Sequence, residues 1–222
     1  MSFPGLSTSA YAPYYVIGKS LKIFRGYHYT GISTATGVPQ FEDVNKDGSL
    51  TSADYVTLGN FDPKYYGGLG NTFSYKGFSL DIFLQFSRQR GYNALRVYYY
   101  PVGYKVNSPA YLAQDNWTAS HTNASQPGLT TTASSPTGAA FVYQLYASNA
   151  AFSDASYIRL KNLSFSYSLP QSLLKKAGVQ DLRIYIQGQN LFTVTAYKAL
   201  DPETQTATPV LKTLTGGIRL IF

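Results

Sequence analysis

The chain has 222 residues, of which 13% are charged and 16% aromatic, with 21 tyrosines and 19 glycines. Soluble domains average about 25% charged residues, so the low charge content argues against a surface that meets only water. The net charge of +7 comes from scattered Lys and Arg residues with no run longer than Lys175-Lys176, and we therefore expect no nucleic-acid partner. The absence of cysteine excludes disulfides and thiol chemistry.

Hydropathy separates two kinds of membrane protein. Mean hydropathy is −0.15, and no apolar run approaches the roughly 18 residues that a membrane helix needs. A transmembrane β-strand carries a polar residue at every second position. The low mean hydropathy is therefore compatible with a transmembrane barrel and argues against a helical membrane protein.

The first third of the chain contains two predicted strands and one motif. The strands are 11–18 and 20–31, which meet at Gly18-Lys19. In the connection that follows, 43–54 matches the EF-hand-type calcium loop, with Gly48 at the sharp turn. Calcium prefers several oxygen ligands. The predicted ligands of this calcium-type loop, which lies within residues 39–60, are Asp43, Asn45, Asp47, Ser49, Thr51 and Asp54.

Two features of the calcium-type loop leave a second interpretation open. Its last predicted ligand is Asp54 where an EF-hand has Glu, which shortens the reach of a bidentate carboxylate, and no helix precedes the loop. Ser49 would supply its carbonyl oxygen, and Thr51 would act through a water molecule. The alternative is an Asx-rich loop held by its own hydrogen bonds without a metal ion.

The clearest hairpin covers 64–75 and 78–87, joined by the two-residue turn Lys76-Gly77. In the second strand the even positions are all apolar and the odd positions mostly polar. This period of two is typical of a strand with one apolar face.

Three more strands are predicted toward the end of the chain, at 156–169, 181–194 and 213–222. Within the first of them the apolar positions change phase, and a β-bulge near Lys161-Asn162 would reconcile its two halves. The last strand alternates cleanly and ends on the aromatic residue Phe222.

The connections between the roughly seven predicted strands alternate in length. The short ones are Gly18-Lys19, Lys76-Gly77 and 170–180, the last with a helical turn. The long ones are 32–63, 88–155 and 195–208. Short turns on one side and long loops on the other are typical of outer-membrane barrels. We therefore predict an all-β fold of antiparallel transmembrane β-barrel strands with long extracellular loops, although alternation alone also fits a soluble β-sandwich.

No catalytic constellation is found in the sequence, so we expect no enzyme. The two histidines lie far apart, and His28 is interpreted as a strand residue, not a ligand. Asp201-Pro202-Glu203 offers two carboxylates, but a loop turn is the simpler interpretation. Inward-facing residues of strand 181–194 are expected either to line the lumen against a plug or to meet water only. They are Arg183, Gln187 and Gln189.

Seven motifs follow one another along most of the chain. They are FRGY to GI at 24–32, PQFEDVNKDGSLTSADYVTLGN at 39–60, PKYYGG at 63–68, YKGFSLDIFLQFS at 75–87, SYIRLKNLSFSYSLP at 156–170, LRIYIQGQNLFTVTAYKALDPE at 182–203, and the final strand at 215–222. In this order they resemble the C-terminal region of the SusC/RagA family of TonB-dependent outer-membrane transporters. The stretch 88–155 departs most from the family pattern.

The resemblance implies that residues 1–222 are the C-terminal part of a large barrel of about 22 strands with a plugged lumen, in the bacterial outer membrane. Its implied function is the import of oligosaccharides or peptides. The implied partners are a SusD-like surface lipoprotein, the TonB system acting through N-terminal parts that this chain lacks, the remainder of the barrel, and the lipid of the outer membrane.

We expect the chain to be a fragment. The residues after Met1 are small and polar without the apolar core of a signal peptide, and no plug domain is recognised. Roughly seven strands would not close a bacterial barrel of this kind. Two other functions stay open. One is a secreted β-sandwich with a calcium loop that binds carbohydrate, and the other is a small, complete barrel of about eight strands that serves as an adhesin or anchor.

Overall fold

The computed structural model describes residues 4–98, 101–104, 107–175, 178–205 and 208–222. The chain forms two compact units. The first, here called the loop unit, comprises Met1–Asp62 and Arg90–Asp154, and the second, the sheet unit, comprises Pro63–Gln89 and Ala155–Phe222. None of the helices in the described ranges is long and apolar enough to cross a membrane.

Strands dominate the secondary structure. In chain order they are β1 (Ile23–Gly26), β2 (Tyr29–Ile32), β3 (Pro39–Phe41), β4 (Val56–Asn60), β5 (Tyr65–Tyr75), β6 (Phe78–Arg88), β7 (Arg90–Tyr92), β8 (Phe152–Asp154), β9 (Tyr157–Ser168), β10 (Asp181–Thr195) and β11 (Thr213–Ile221). The short α-helices are α1 (Ala94–Tyr98), α2 (Pro136–Ala139) and α3 (Gln171–Leu174). A π-helical turn covers Ala140–Gln144, and 3-10 turns cover Leu6–Thr8, Ser52–Asp54, Ala110–Leu112, Leu145–Ala147 and Asn149–Ala151.

The sheet unit contains one five-stranded antiparallel sheet in the order β11-β10-β9-β6-β5. Its shortest strand has 9 residues and its longest has 15, which is long enough for a tilted membrane crossing of about 9–11 residues. The five predicted strands from residue 64 onward are confirmed with small shifts at their ends. The helical turn predicted in 170–180 is confirmed as α3.

The turn between β5 and β6 is built from Lys76 and Gly77. Tyr75 pairs with Phe78 at the ends of the two strands, and φ is 47° at Lys76 and 86° at Gly77. Two successive residues with positive φ give a hairpin turn whose twist matches that of the strands. A Cβ atom on Gly77 would also lie 2.6 Å from the carbonyl oxygen of Ser168. The predicted turn is confirmed, and glycine is needed there for conformation and for space.

Replacing Gly77 by Ala is expected to lower the free energy of unfolding by about 1–3 kcal/mol, because alanine is strained at positive φ. Gly70→Ala in β5 is the matched control, since its Cβ would meet only a ring atom of Phe83 at 3.6 Å. We expect the control to stay within about 0.5 kcal/mol of the parent. Unfolding in denaturant measures both changes, and equal losses would contradict the role given to the turn.

The phase change along β9 is a β-bulge. Phe83 of β6 pairs with Asn162, whereas the next residue, Leu84, pairs with Leu160, so Lys161 is the extra residue. One extra residue shifts the alternation of side chains by one position. The apolar residues of β9 therefore change parity in sequence while staying on one face of the sheet. The predicted bulge is confirmed.

The two faces of the five-stranded sheet differ in polarity. On the face here called the apolar face, paired rows of large side chains are exposed; they include Leu69, Phe73, Phe165, Ile184, Ile186, Val194, Leu214 and Ile218. The rows of the opposite face, here called the polar face, carry mostly Ser, Thr, Gln, Asn, Asp and Arg. A β-sandwich would bury its apolar face against a second sheet. The exposed apolar rows therefore show that the sandwich alternative is wrong.

Short strands and an aromatic cluster organise the loop unit. β1 pairs with β4, β2 with β3, and β7 with β8, all antiparallel. The rings of Phe24, Phe61, Tyr92 and Phe152 pack together, with the centroids of Phe24 and Phe152 4.2 Å apart and those of Phe61 and Tyr92 4.9 Å apart. Packed aromatic rings of this kind supply much of the apolar burial in a small core.

The predicted strand at 11–18 is wrong. The segment forms turns, in which the amides of Tyr14 and Tyr15 both donate to the carbonyl oxygen of Tyr11. Pro13 has no N–H and cannot donate to a ladder. The apolar and aromatic residues of this segment suggested a strand. No strand forms, because local hydrogen bonds satisfy the backbone in turns instead.

The predicted strand at 20–31 is split into β1 and β2, which pair with different strands. Between them the amide of Tyr27 donates to the carbonyl oxygen of Ala147 at 2.9 Å. Gly26 allows this approach, since a Cβ there would collide with the same carbonyl group. The interruption is thus caused by a segment more than a hundred residues away.

Candidate functional site on the polar face of the sheet

Hydrogen bonds join neighbouring strands across the polar face. Thr72 of β5 donates through Oγ1 to Asp81 of β6 at 2.7 Å, and Arg183 of β10 donates through Nη2 to Ser166 of β9 at 2.7 Å. The residues predicted to face inward all lie on this face; they are Arg183, Gln187 and Gln189. Such a surface can form hydrogen bonds with a polar solute or with a polar segment that packs against it.

An ion-pair cluster lies at the end of the polar face from which the long connections leave. Arg159 of β9 donates through Nη2 to Asp201 Oδ2 at 2.8 Å and through Nη1 to Glu203 Oε2 at 2.9 Å. Lys161, the bulged residue, contacts Glu203 Oε1 at 3.2 Å. The side chains of Arg159 and Asp201 are only 1% and 6% exposed. The cluster therefore fastens the connection after β10 onto β9.

Hydrogen bonds keep the Asp201 carboxyl charged within this cluster. Burial by itself raises its pKa, but the amide of Thr204, the guanidinium of Arg159 and the amide of Glu203 together hold the pKa below its ordinary value. Asp201 Oδ1 accepts from the amides of Glu203 at 2.8 Å and Thr204 at 3.1 Å. Asp201 is therefore charged at neutral pH, and the guanidinium of Arg159 is its counter-charge.

The sequence predicted only a loop turn at Asp201-Pro202-Glu203. The turn is present, but its partners Arg159 and Lys161 lie on another strand, with Arg159 and Asp201 separated by 42 positions. No local signal marked the cluster, because an arginine at the polar position between Ile158 and Leu160 fits the ordinary alternation of a strand.

The calcium-type loop is closed by its own amides. Asp43 Oδ2 accepts from the amide of Gly48 at 2.8 Å, and Asp47 Oδ1 accepts from the amide of Ser49 at 2.8 Å. Asn45 donates through Nδ2 to Asp47 Oδ2 at 2.8 Å. The structure thus gathers the first four predicted ligands in one tight turn, in contacts of the kind that hold an Asx-rich loop.

Asp54 lies beneath the same loop and is 0% exposed. Its Oδ1 accepts from the amides of Val44 and Asn45 at 3.0 and 3.3 Å, and its Oδ2 accepts from the amide of Thr51 at 2.8 Å. Thr51 and Asp54 also form a capping box for the turn Ser52–Asp54. Over the described ranges, no group of three or more His, Cys, Asp or Glu side chains is arranged to hold a metal ion. The calcium site stays a prediction.

The hydrogen bonds of Asp54 predict a loss of loop stability in acid. The Thr51 amide, followed by the amides of Asn45 and Val44, holds the pKa of Asp54 below its ordinary value of 3.8, although burial opposes this. A carboxyl group with a lowered pKa in the folded state stabilises that state above its unfolded pKa, and the stabilisation is lost as pH falls through the folded pKa. We therefore expect the exchange protection of these three amides to fall below pH 3.8.

Amide hydrogen exchange, corrected for intrinsic rates, measures this protection. Asp54→Asn is expected to reduce the protection of the loop amides already at neutral pH, because a neutral amide oxygen is a weaker acceptor. Asp81→Asn, on the sheet, is the matched control and should leave the loop amides unchanged. Protection of these amides that does not decline at any pH below 3.8 would contradict the prediction.

Comparison with known proteins places this geometry in context. No family model matches the sequence. TonB-dependent receptor P3 of Formosa agariphila is 32% identical over 202 residues, which cover 84% of this chain and 19% of the relative. TonB-dependent receptor P26 of the same organism is 27% identical over 208 residues, which cover 85% of this chain and 20% of the relative. The chain thus spans about a fifth of the length of these curated relatives.

Solved structures show the same fold. The RagAB peptide transporter matches with a TM-score of 0.70 and 25% identity, over 89% of this chain and 22% of that chain. The RagAB peptide importer in its open-open state matches with a TM-score of 0.71 and 24% identity, over 94% of this chain and 24% of that chain. Because the sequence identity of the second match is only 24%, that match supports a shared fold and nothing more.

The relatives and the fold agree with the two-faced sheet. Among the described residues, β5 and β11 are the two edge strands of the sheet and do not pair with each other. The matched proteins are several times longer than this chain. The alternative of a small, complete barrel of about eight strands is therefore wrong. The resemblance to the SusC/RagA transporters is confirmed: the chain belongs to the TonB-dependent receptors of the bacterial outer membrane, and it forms part of their β-barrel.

Proposed function

We propose that the chain forms part of the wall and the outer loops of a transporter that imports oligosaccharides or peptides across the outer membrane. The observation that carries the proposal is the sheet with two unlike faces. Its apolar face is exposed, as lipid contact requires, and its polar face offers hydrogen-bonding groups to the lumen. The names of the relatives, receptors and a peptide transporter, support import and not catalysis.

The connections support an orientation for this wall. The long connections after β6 and after β10 leave the end of the sheet where Ser87 pairs with Tyr157 and Tyr157 with Thr195. The short connections, Lys76-Gly77 and 170–180, lie at the opposite end. Long loops of outer-membrane barrels face the outside. We propose that a SusD-like lipoprotein docks on that side and that TonB acts from the periplasm.

Uptake by cells tests the proposal. Cells that lack the receptor containing this chain are compared with complemented cells, using labelled oligosaccharides and labelled peptides of matched size. We expect one of the two classes to enter complemented cells only, and its entry to stop in cells that lack TonB. Equal uptake of both classes with and without the receptor would reject the proposal, and the class that enters identifies the substrate.

We further propose that the loop at 43–54 binds Ca²⁺. Its donors are all oxygens, which suits this ion. Gly48, with φ of 84°, provides the sharp turn. Asp54 accepts from the amides of Val44 and Asn45, the two residues that follow Asp43, so the two ends of the motif lie close together. The ligands would be the side chains of Asp43, Asn45, Asp47 and Asp54, the carbonyl of Ser49 and a water molecule on Thr51.

Thermal unfolding with and without calcium tests the loop proposal. The parent protein is expected to melt at a higher temperature in calcium, since a ligand that binds only the folded state stabilises it. The double variant Asp43→Ala, Asp47→Ala should lose this calcium-dependent rise, whereas Asp115→Ala, in another connection, should keep it. If calcium does not raise the melting temperature of the parent protein, the proposed calcium site is rejected.

A further inference from the structure

A cavity of about 290 Å³ lies within the loop unit. Its lining includes four aromatic rings and two guanidinium groups, those of Tyr14, Tyr15, Phe24, Tyr55, Arg25 and Arg96. A water molecule occupies about 30 Å³ in the liquid. The cavity therefore has room for a solute about as large as one sugar ring or one amino-acid residue.

The two arginines bring positive charge into the cavity wall, and none of the described residues that line the cavity is acidic. Arg25 donates to three backbone carbonyl groups, and Arg96 donates through Nη1 to the carbonyl oxygen of Tyr146 at 3.0 Å. Carbonyl oxygens are neutral, so they satisfy donors without cancelling the charge. Across the described part of the chain, neither arginine has an ion-pair partner. An anion is the ligand that this wall favours.

Arg96 is held in a fixed plane by two tyrosine rings. Its guanidinium carbon lies 3.5 Å from the ring centroid of Tyr146 and 4.9 Å from that of Tyr92. Among the described contacts only Nη1 is used, which leaves Nη2 and Nε as further donors. A planar fork that is already oriented suits the two oxygens of a carboxylate.

The tyrosines of the cavity provide a neutral wall beside the charge. The rings of Tyr14 and Tyr55 meet edge to face with centroids 6.1 Å apart. Burial, and then the neighbouring Tyr27 and Tyr14, raise the pKa of Tyr55 to about 12. Its hydroxyl group therefore stays uncharged and does not repel an anion. Aromatic faces of this kind pack well against the C–H groups of a sugar ring or an apolar side chain.

We propose that this cavity is a binding site for a small organic carboxylate, which pairs with Arg96 while its body packs against Tyr14 and Tyr15. Acidic sugars and peptide ends share this chemistry. The inference goes beyond the proposed import function, because binding at this site needs neither passage through the lumen nor TonB.

Equilibrium binding to the purified receptor that contains this chain tests the site. The probes are two matched pairs, glucuronate with glucose and N-acetylphenylalanine with its amide. We expect at least one carboxylate to bind about tenfold or more tightly than its neutral partner, as a charge-assisted hydrogen bond predicts. The pair that shows the larger difference distinguishes an acidic sugar from a peptide end. Neutral partners that bind as tightly as both carboxylates would overturn the proposal.

Variants locate the binding. Arg96→Gln is expected to weaken carboxylate binding about tenfold, and Arg96→Lys to weaken it less, because lysine keeps the charge but not the fork. Tyr15→Leu should also weaken binding, whereas Arg219→Gln, in the sheet unit, should not. Unchanged carboxylate binding in a folded Arg96→Gln variant would overturn the proposed site. If Arg96→Gln does not fold, unchanged binding in Tyr15→Leu would overturn it instead. If the receptor binds the carboxylate but cells import neither oligosaccharides nor peptides, the transport proposal is rejected and the binding site is not.

Discussion

Replacement of Arg159 by Met is expected to lower the free energy of unfolding by about 3–5 kcal/mol, because it leaves the Asp201 carboxylate buried without its counter-charge. The two side chains are 1% and 6% exposed, so water has little access to take the place of the guanidinium. Glu203 keeps its contact with Lys161 at 3.2 Å and is not left unpaired. Unfolding in denaturant measures the loss, and faster proteolysis of the connection after β10 should accompany it.

An exposed ion pair on the same sheet provides the control. Arg219 Nη2 lies 3.0 Å from Asp181 Oδ2, with side chains 59% and 31% exposed. Arg219→Met is therefore expected to cost no more than about 1 kcal/mol. The double variant Arg159→Met, Asp201→Leu should recover part of the loss, because neither charge then remains buried alone. Equal losses for the two single arginine variants would contradict the buried cluster.

Ile186→Arg is expected to destabilise the membrane-inserted barrel by about 2–4 kcal/mol, because its guanidinium would lie in lipid near the middle of a spanning strand. Ile186 is 49% exposed on the apolar face and pairs with Phe165 and Gly216. Folding into lipid vesicles, followed by denaturant titration, measures the loss.

The neighbouring residue gives a matched control of opposite orientation. Gln187 pairs with Ser164 and Thr215 on the polar face, so an arginine there can be hydrated or hydrogen-bonded. Gln187→Arg is expected to change the free energy of unfolding by less than about 1 kcal/mol. A larger loss for Gln187→Arg than for Ile186→Arg would mean that the two faces have been assigned the wrong way round.

The sheet unit could be predicted from the sequence because its strands alternate regularly and its turns carry their own chemistry. Lys76 and Gly77 predict a two-residue hairpin turn, and the phase change of the apolar positions around Lys161 predicts a β-bulge. Both signals are local, so no distant contact was needed to interpret them. The position of Arg183, Gln187 and Gln189 on the polar face follows from the same alternation.

The loop unit was poorly predicted because its structure depends on distant contacts. The split between β1 and β2 is caused by the carbonyl group of Ala147, and the turns at 11–18 are held by local hydrogen bonds that alternation does not reveal. The ion-pair cluster was missed for the same reason, since Arg159 and Asp201 meet only when β9 and β10 pair. The calcium-type loop is recognisable in sequence, but its motif is equally compatible with a loop closed by its own amides.

Two cysteine variants test directly whether the apolar face meets lipid. The chain contains no cysteine, so Ile186→Cys and Gln187→Cys each provide a single site in it for a nitroxide spin label. In the receptor reconstituted into vesicles, collisions with oxygen report lipid exposure, and collisions with a water-soluble nickel chelate report access from water. We expect oxygen to dominate at residue 186, and oxygen collisions to be fewer at residue 187. Equal lipid exposure at both positions, or the reverse pattern, would contradict a transmembrane wall with its apolar face outward.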